Sequence, residues 1–185
     1  ETLAKNQPDI YYTKSSSNMK QIFSNQFYYQ FKMPDFDILK ERLETIEKFD
    51  DGDFTWGELC KIERDSYNVN DFFDILVKPV GMLSGQLGVK FNAKISHPWL
   101  NRYDRGGFQE IHYHDDCDIA AVVFLNDGED FSKFYFWDSN HTAFTKPWIK
   151  ILTQMKLSNI YYPEVKAGDV LLFPSHMIHG VSPHN

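Results

Sequence analysis

Cysteine is scarce in this chain: Cys60 and Cys117 are the only two in 185 residues. Two thiols make no disulfide framework, so a small cross-linked scaffold is not expected, and reduced thiols in a cytoplasmic protein are. No apolar run reaches the ~20 residues that a membrane-spanning helix needs, and no secretory leader is recognisable. Positive charge is also in deficit, with 19 Lys and Arg against 26 Asp and Glu, for a net charge of −7. A general nucleic-acid binder needs a basic face, so no nucleic-acid partner is expected, although a local basic pocket fits the count. The chain opens on Glu1 and ends abruptly at Val181-Ser182-Pro183-His184-Asn185, which reads as a trimmed segment.

Apolar and aromatic residues are plentiful. Hydrophobic residues make up 42% of the chain and aromatics 16%, with 16 Phe and 10 Tyr. That is enough for one domain over 1–185 with an aromatic-rich core. Residues 1–20 are polar, with the run Ser15-Ser16-Ser17, and read as an extended arm. Residues 21–85 read as a strand and supporting helices. Ile22, Phe23, Phe27, Tyr29 and Phe31 roughly alternate, so Gln21 to Phe31 is expected to be a strand. Phe36, Leu39, Leu43 and Ile46 recur at helical spacing after Pro34-Asp35. Asp50-Asp51-Gly52-Asp53 then reads as a helix stop and solvated turn, because it lacks the ligand spacing of a calcium loop. A second helix is expected over Val69 to Met82, kinked or ended by Pro79.

From about residue 86 the pattern becomes that of a β core. Val89 to Ile95, Trp99 to Tyr103, Glu110 to His114, Phe134 to Trp137, Ile160 to Val165, Val170 to Phe173 and Met177 to Val181 read as short strands. Ile119 to Leu125 is a continuous apolar run and is expected to be buried on both faces. Short strands parted by Gly, Asp, Asn and Pro turns suggest a sandwich or barrel. No internal repeat or linker interrupts it.

Seven histidines are present, and two of them stand out. His112 and His114 sit two apart in an expected strand, so both imidazoles point to one face. Asp115 and Asp116 follow directly. A lone histidine is most often structural, and a polar strand end is a fair reading even of this pair. A metal would nevertheless satisfy such a group. The segment Lys166-Ala167-Gly168-Asp169-Val170-Leu171-Leu172-Phe173-Pro174-Ser175 then gives a turn, a buried strand and a break. A second strand bearing His179 follows, with Gly180 allowing close approach beside it.

This segment resembles the distal-histidine region of the 2-oxoglutarate/Fe(II) oxygenases, especially their prolyl-hydroxylase-like branch. There a Gly-Asp turn, an apolar strand ending in Phe-Pro-Ser, and a His-Gly-Val-x-Pro strand recur. Upstream, Tyr103-Asp104-Arg105-Gly106 followed by His112 is similar to that branch's Tyr-x-x-Gly … His-x-Asp spacing. Ala121-Val122-Val123-Phe124-Leu125-Asn126 is similar to its next core strand. The resemblance covers roughly residues 87–185.

The resemblance implies an α+β, mainly β fold: a double-stranded β-helix of the jelly-roll or cupin-like kind, with N-terminal helices packed on one sheet. It also implies an Fe(II) centre and 2-oxoglutarate as cosubstrate, with O2, and ascorbate as reductant. The implied reaction is hydroxylation of an unactivated C–H, in a peptidyl residue such as proline or in an amino acid. Aligned from Tyr103, the metal ligands are His112, His114 and His179. Read literally, His-x-Asp instead matches His114 and Asp116, so Asp116 stands as the alternate to His114. It could equally orient an imidazole from behind.

The family's Arg or Lys for the far carboxylate of 2-oxoglutarate does not occur between His179 and Asn185, so either it lies beyond residue 185 or another cation does the work. Lys133, Arg102 and Lys90 are the candidates in its place, and Tyr103 is a candidate hydroxyl donor to the same cosubstrate. Cys117 is a lesser candidate ligand. His97, His141 and His176 read as turn residues. Trp137 and Trp148 read as core or as a substrate mouth. Two rival readings are a cupin-type metalloenzyme that does not use 2-oxoglutarate and a non-catalytic β-barrel binding module.

Overall fold

The computed structural model describes residues 18–23, 26–49, 57–139 and 158–183. Residues 1–17 of the expected arm over 1–20, the acidic run at 50–53 and the residues His141, Trp148 and His184 lie outside them, while Met19 and Lys20 of that arm belong to a strand.

Strand β1 (Met19–Phe23) and strand β2 (Gln26–Lys32) replace the single expected strand and pair antiparallel with each other. Helix α1 (Phe36–Thr45) follows. Its buried face carries Leu39, with Phe36, Leu43 and Ile46 packed beside it. A short helix α2 (Gly57–Cys60) leads into β3 (Ile62–Ser66), a strand that the sequence pattern does not announce.

The expected second helix starts later and runs further than its pattern suggests. Val69–Asp71 is a single tight 3-10 turn, and helix α3 spans Phe73–Leu87 with Pro79 inside it. Ile75, Pro79 and Leu83 recur every fourth residue and are buried. Tertiary burial of that stripe offsets the hydrogen bond lost at the proline. The helix stops where Gly88 turns left-handed at φ 66°, with the Gly88 and Val89 amides donating to the Gly85 and Ser84 carbonyls.

Val89 to Ile95 is not a strand. It carries an alternating pattern, but no described strand pairs with it, and Val89 and Phe91 are exposed. The remaining strands are β4 (Trp99–Tyr103), β5 (Gln109–His112), β6 (Ile119–Val123), β7 (Phe134–Trp137), β8 (Ile160–Tyr161), β9 (Asp169–Pro174) and β10 (His179–Val181). They form two four-stranded sheets, ordered β1-β2-β9-β6 and β5-β10-β7-β8, and a ribbon of β3 and β4. All of these pairings are antiparallel.

The doubly buried strand is β9, not β6. All six residues of β9 are buried. Val170 and Leu172 pack with Tyr29, Phe31 and the helical residues Leu39, Ile75 and Leu83. Leu171 and Phe173 point the other way, into Phe134, Phe136, Tyr28 and Met177. The first sheet thus carries helices on one face and the second sheet on the other. Strand β6 lies at the end of its sheet, and its Ile119 and Ala121 are exposed.

The turn before β9 ties these layers together. Gly168 adopts φ 81°, a conformation that glycine takes without a steric penalty. Its amide donates to the Phe124 carbonyl, and its carbonyl accepts from Met33. Buried Asp169 accepts from the Lys166 amide at 2.8 Å and the Gln30 side chain at 3.1 Å, and it pairs with Lys32 at 2.5 Å. This one turn joins the ends of β2, β6 and β9.

Leu171→Ala would open a cavity where the two sheets meet. It is expected to lower unfolding free energy by about 2–5 kcal/mol in urea denaturation. Because Phe134 and Phe173 are the rings that wall His179, metal affinity measured below the transition should change far less than stability.

Candidate metal centre

Strand β10 lies between β5 and β7, and its register sets the site. His179 is directly opposite His112 on β5 and Phe136 on β7. The imidazoles of His112 and His179 have centroids 4.3 Å apart, and that of His114 lies 5.1 Å from His179 and 5.2 Å from His112. One ring nitrogen from each of the three falls within 4.8 Å of the others. Strand β5 ends at His112, so His114 is held by other means. Its amide donates to the Ser175 carbonyl at 3.0 Å, and the Ser175 amide and hydroxyl donate to the Asp118 and Cys117 carbonyls.

Two of the rings are oriented from behind. A carbonyl can only accept, so the Nδ1–H of His112 donates to Glu110 O at 2.8 Å, and the Nδ1–H of His179 donates to Met177 O at 2.8 Å. In each ring this leaves the Nε2 lone pair for a metal. His179 is only 3% exposed and is walled by Phe134 and Phe173, whose ring centroids lie 5.5 Å and 5.0 Å away.

Burial pushes the His179 pKa down to about 3, with repulsion from His112 and His114 in the same direction and the Met177 carbonyl opposing it. His114 is also pushed down, chiefly by burial and then by His112, while Asp116 works against the shift. Neutral imidazoles are the metal-binding form.

Gly180 is required here by packing and not by backbone angle. A Cβ at this position would lie 2.8 Å from the Tyr135 hydroxyl and 2.9 Å from the Gln109 carbonyl. The glycine lets β5 and β7 close on both sides of β10 immediately beside His179.

Residues 97–185 match the family model described as "Putative 2OG-Fe(II) oxygenase". This segment, just short of half the chain, is similar to the 2-oxoglutarate- and Fe(II)-dependent oxygenases. No curated protein matches the chain in sequence. Among solved structures, the chain is similar to HygX from Streptomyces hygroscopicus, crystallised with nickel, 2-oxoglutarate and hygromycin B bound. The match has a TM-score of 0.55 at 15% identity and covers 85% of this chain and 77% of that one. At that identity the likeness concerns the fold.

The donor set fits the iron that the family implies. Three convergent nitrogen donors on one side of a first-row divalent ion leave its other positions open to a cosubstrate and oxygen. The three-histidine group differs from the set of two histidines and one carboxylate common at non-haem Fe(II) sites. Asp116 is exposed and does not join the three-histidine group, though its charge is felt at His114.

The other candidate residues fall in varied places. Tyr103 shares a face of β4 with Trp99 and Asn101, by strand alternation. Trp99 lies 6.3 Å from His114 between ring centroids, so that face is turned to the centre. The Tyr103 hydroxyl accepts from Asn101 Nδ2 at 3.5 Å, and burial raises its pKa.

Arg102 is on the opposite face of β4 and is paired with Asp65. Lys90 is exposed and outside any strand. Lys133 is exposed, and its backbone pairs with Ser182, which places it on the face of the sheet shared by Tyr135 and Gly180 rather than by His179. Trp137 shares that outer face as well. Cys117 stays outside the histidine group, and burial raises its thiol pKa, which works against a thiolate ligand. His176 is exposed, while His97 accepts from the Val69 amide.

Two further residues reach this region without a sequence signal. The Arg64 guanidinium carbon lies 4.5 Å from the Trp99 ring centroid, and its charge contributes to lowering the His114 pKa. Arg64 sits on β3, and without that strand nothing in the sequence connects it to the histidines. Gln109 is the other.

His179→Ala should lower Fe(II) affinity at least a hundredfold in anaerobic titration, whereas Asp116→Ala should change it by less than about threefold. The metal-free protein should also lose stability in acid. An unfolded histidine titrates near 6.5 and folded His179 near 3, so between those values the unfolded chain binds more protons. Its urea midpoint should therefore fall as pH drops from 6.5 toward 4, and this dependence should be shallower in His179→Gln.

Proposed function

We propose that His112, His114 and His179 hold Fe(II) on a double-stranded β-helix formed by the two four-stranded sheets. The protein would act as a 2-oxoglutarate-dependent hydroxylase. The observation that carries this reading is the convergence of the three imidazoles at one buried end of β10, inside the segment that matches the oxygenase family. A three-histidine set by itself also suits a cupin-type metalloenzyme. The family match favours the oxygenase.

With Fe(II) and 2-oxoglutarate bound, the centre supplies oxidation by O2, in which 2-oxoglutarate is converted to succinate and CO2 and a substrate C–H becomes C–OH. Ascorbate serves as the external reductant that keeps the iron ferrous. The chain's own residues hold and shield that chemistry. The Glu110 and Met177 carbonyls fix two imidazoles in the tautomer that presents Nε2. Phe134 and Phe173 keep bulk water from the inner side of His179, which strengthens metal–ligand electrostatics there. Tyr103 would donate its hydroxyl proton to an anionic ligand, and burial, which raises its pKa, keeps it protonated at neutral pH.

Lys133 is a weaker candidate for the cosubstrate's cation because of its exposed, outward position. Arg64, stacked on Trp99 beside His114, is a better one.

The motif order around Tyr103, His112 and His179 resembles that of the prolyl-hydroxylase-like branch, and this resemblance favours a peptidyl residue or an amino acid as substrate. HygX, with hygromycin B bound, widens the range of ligands that this fold admits. Trp99 is exposed with its ring 6.3 Å from that of His114, and it would form part of the substrate-facing rim.

Purified protein with Fe(II), ascorbate, O2 and 2-oxoglutarate should form succinate even without a substrate, and His179→Ala should reduce that rate to background. Metal retention without any 2-oxoglutarate-dependent signal would favour the cupin reading instead.

A further inference from the structure

Gln109 occupies a position that regular strand geometry would not give it. The β5–β10 ladder pairs His179 with His112 and Val181 with Gln109. Two residues of β10 therefore span three of β5, so one residue of β5 is extra. Such a bulge turns the residues beyond it onto the other face. Without it, Gln109 would point away from the side that carries His112. With it, Gln109 shares the inner face with His112, His179 and Val181, and Val181 packs toward the core between the sheets.

The amide so placed is 4% exposed, and its Nε2 has no hydrogen-bond partner among the described residues. An unpaired buried donor is unfavourable, and in native proteins it calls for a reason. Its neighbours do not supply one. Asn101 carries a second buried atom without a partner, Oδ1, on the centre-facing side of β4. The Gln109 carbonyl is engaged at close range by β10, since it is one of the groups that exclude a Cβ at Gly180. The bulge and the glycine therefore fit each other, and together they direct the Gln109 side chain inward.

Resting on the oxygenase reading above, we propose that Gln109 is a cosubstrate-binding residue whose Nε2 donates a hydrogen bond to the distal carboxylate of 2-oxoglutarate. Along β10 the Gln109 partner, Val181, is two residues beyond His179, roughly 7 Å at strand spacing. An extended five-carbon dicarboxylate chelated at the histidines reaches a similar distance with its far end. A neutral amide donor suits a carboxylate without requiring a buried unpaired cation.

The test is an anaerobic titration of Fe(II)-loaded protein with 2-oxoglutarate, read by the metal-to-ligand charge-transfer band, for wild type, Gln109→Met and Gln109→Glu. Loss of a hydrogen bond to a charged group should weaken 2-oxoglutarate about ten- to hundredfold in Gln109→Met. Gln109→Glu, which places a negative charge at the same point, should weaken it further. Fe(II) affinity should not change in Gln109→Met. The metal-free Gln109→Met protein should melt no lower than wild type, because an unpaired donor has been replaced by an apolar side chain of similar size.

Equal 2-oxoglutarate affinity in wild type and both variants would overturn the assignment while leaving the oxygenase reading intact. Loss of Fe(II) affinity together with a lowered melting temperature would also overturn it, by showing a structural role. Wild-type protein that binds Fe(II) but gives no 2-oxoglutarate signal would overturn the oxygenase reading itself, and this assignment with it.

Discussion

Strand β10 is held between β5 and β7, and the metal centre depends on that pairing. The strand is only three residues long, His179–Val181. Its first residue faces His112 on one side and Phe136 on the other, so one ladder sets the imidazole pair and its aromatic wall together. Gly180 permits it, because any side chain there would strike Tyr135 or the Gln109 backbone. A small displacement of this strand would separate the rings, since their 4.3 Å approach is fixed by cross-strand register and not by long flexible side chains.

The rest of the fold keeps β10 in place. Strand β9 precedes it in the chain and is buried on both faces, against helices on one side and the second sheet on the other. The Pro174-to-Met177 turn then carries the chain from one sheet to the other, with the Met177 amide donating to Pro174 O. That turn also reaches across to the loop after His112: Ser175 binds the backbone at His114, Cys117 and Asp118. One short connection therefore positions the third histidine, which lies beyond the regular part of β5. The helices contribute at a distance, by covering the outer face of the sheet that contains β9.

Much of this was legible in the sequence, for identifiable reasons. Gly168-Asp169 followed by four apolar residues announced a turn and a buried strand, because positive φ and a buried carboxylate leave a compositional mark. His112 and His114 at a spacing of two read correctly as sharing one side, even though strand β5 ends between them. Other features were hidden. Strand β3 has the sequence Ile62-Glu63-Arg64-Asp65-Ser66, too polar to look like a strand, and with it went Arg64. Val89 to Ile95 alternates as a strand should, yet alternation cannot reveal that no described neighbour pairs with it. Ile119 to Leu125 reads as buried on both faces because its residues are all apolar. Being central depends on which strands pair with it, and that is a property of the whole sheet.

Gln109 was hidden for a different reason. Strand alternation assigns it to the face opposite His112, and only the bulge reverses that. The choice between His114 and Asp116 was likewise open to sequence reasoning, since both follow His112 closely. The structure groups His114 with the other two imidazoles and leaves Asp116 exposed.

A structure of the protein crystallised anaerobically with Fe(II) and 2-oxoglutarate tests the central claim most directly. The expected result is one iron on His112, His114 and His179, with Nε2 of His112 and His179 as the ligating atoms and 2-oxoglutarate completing its coordination. Iron bound by Asp116 in place of His114, or found away from His179, would contradict the account.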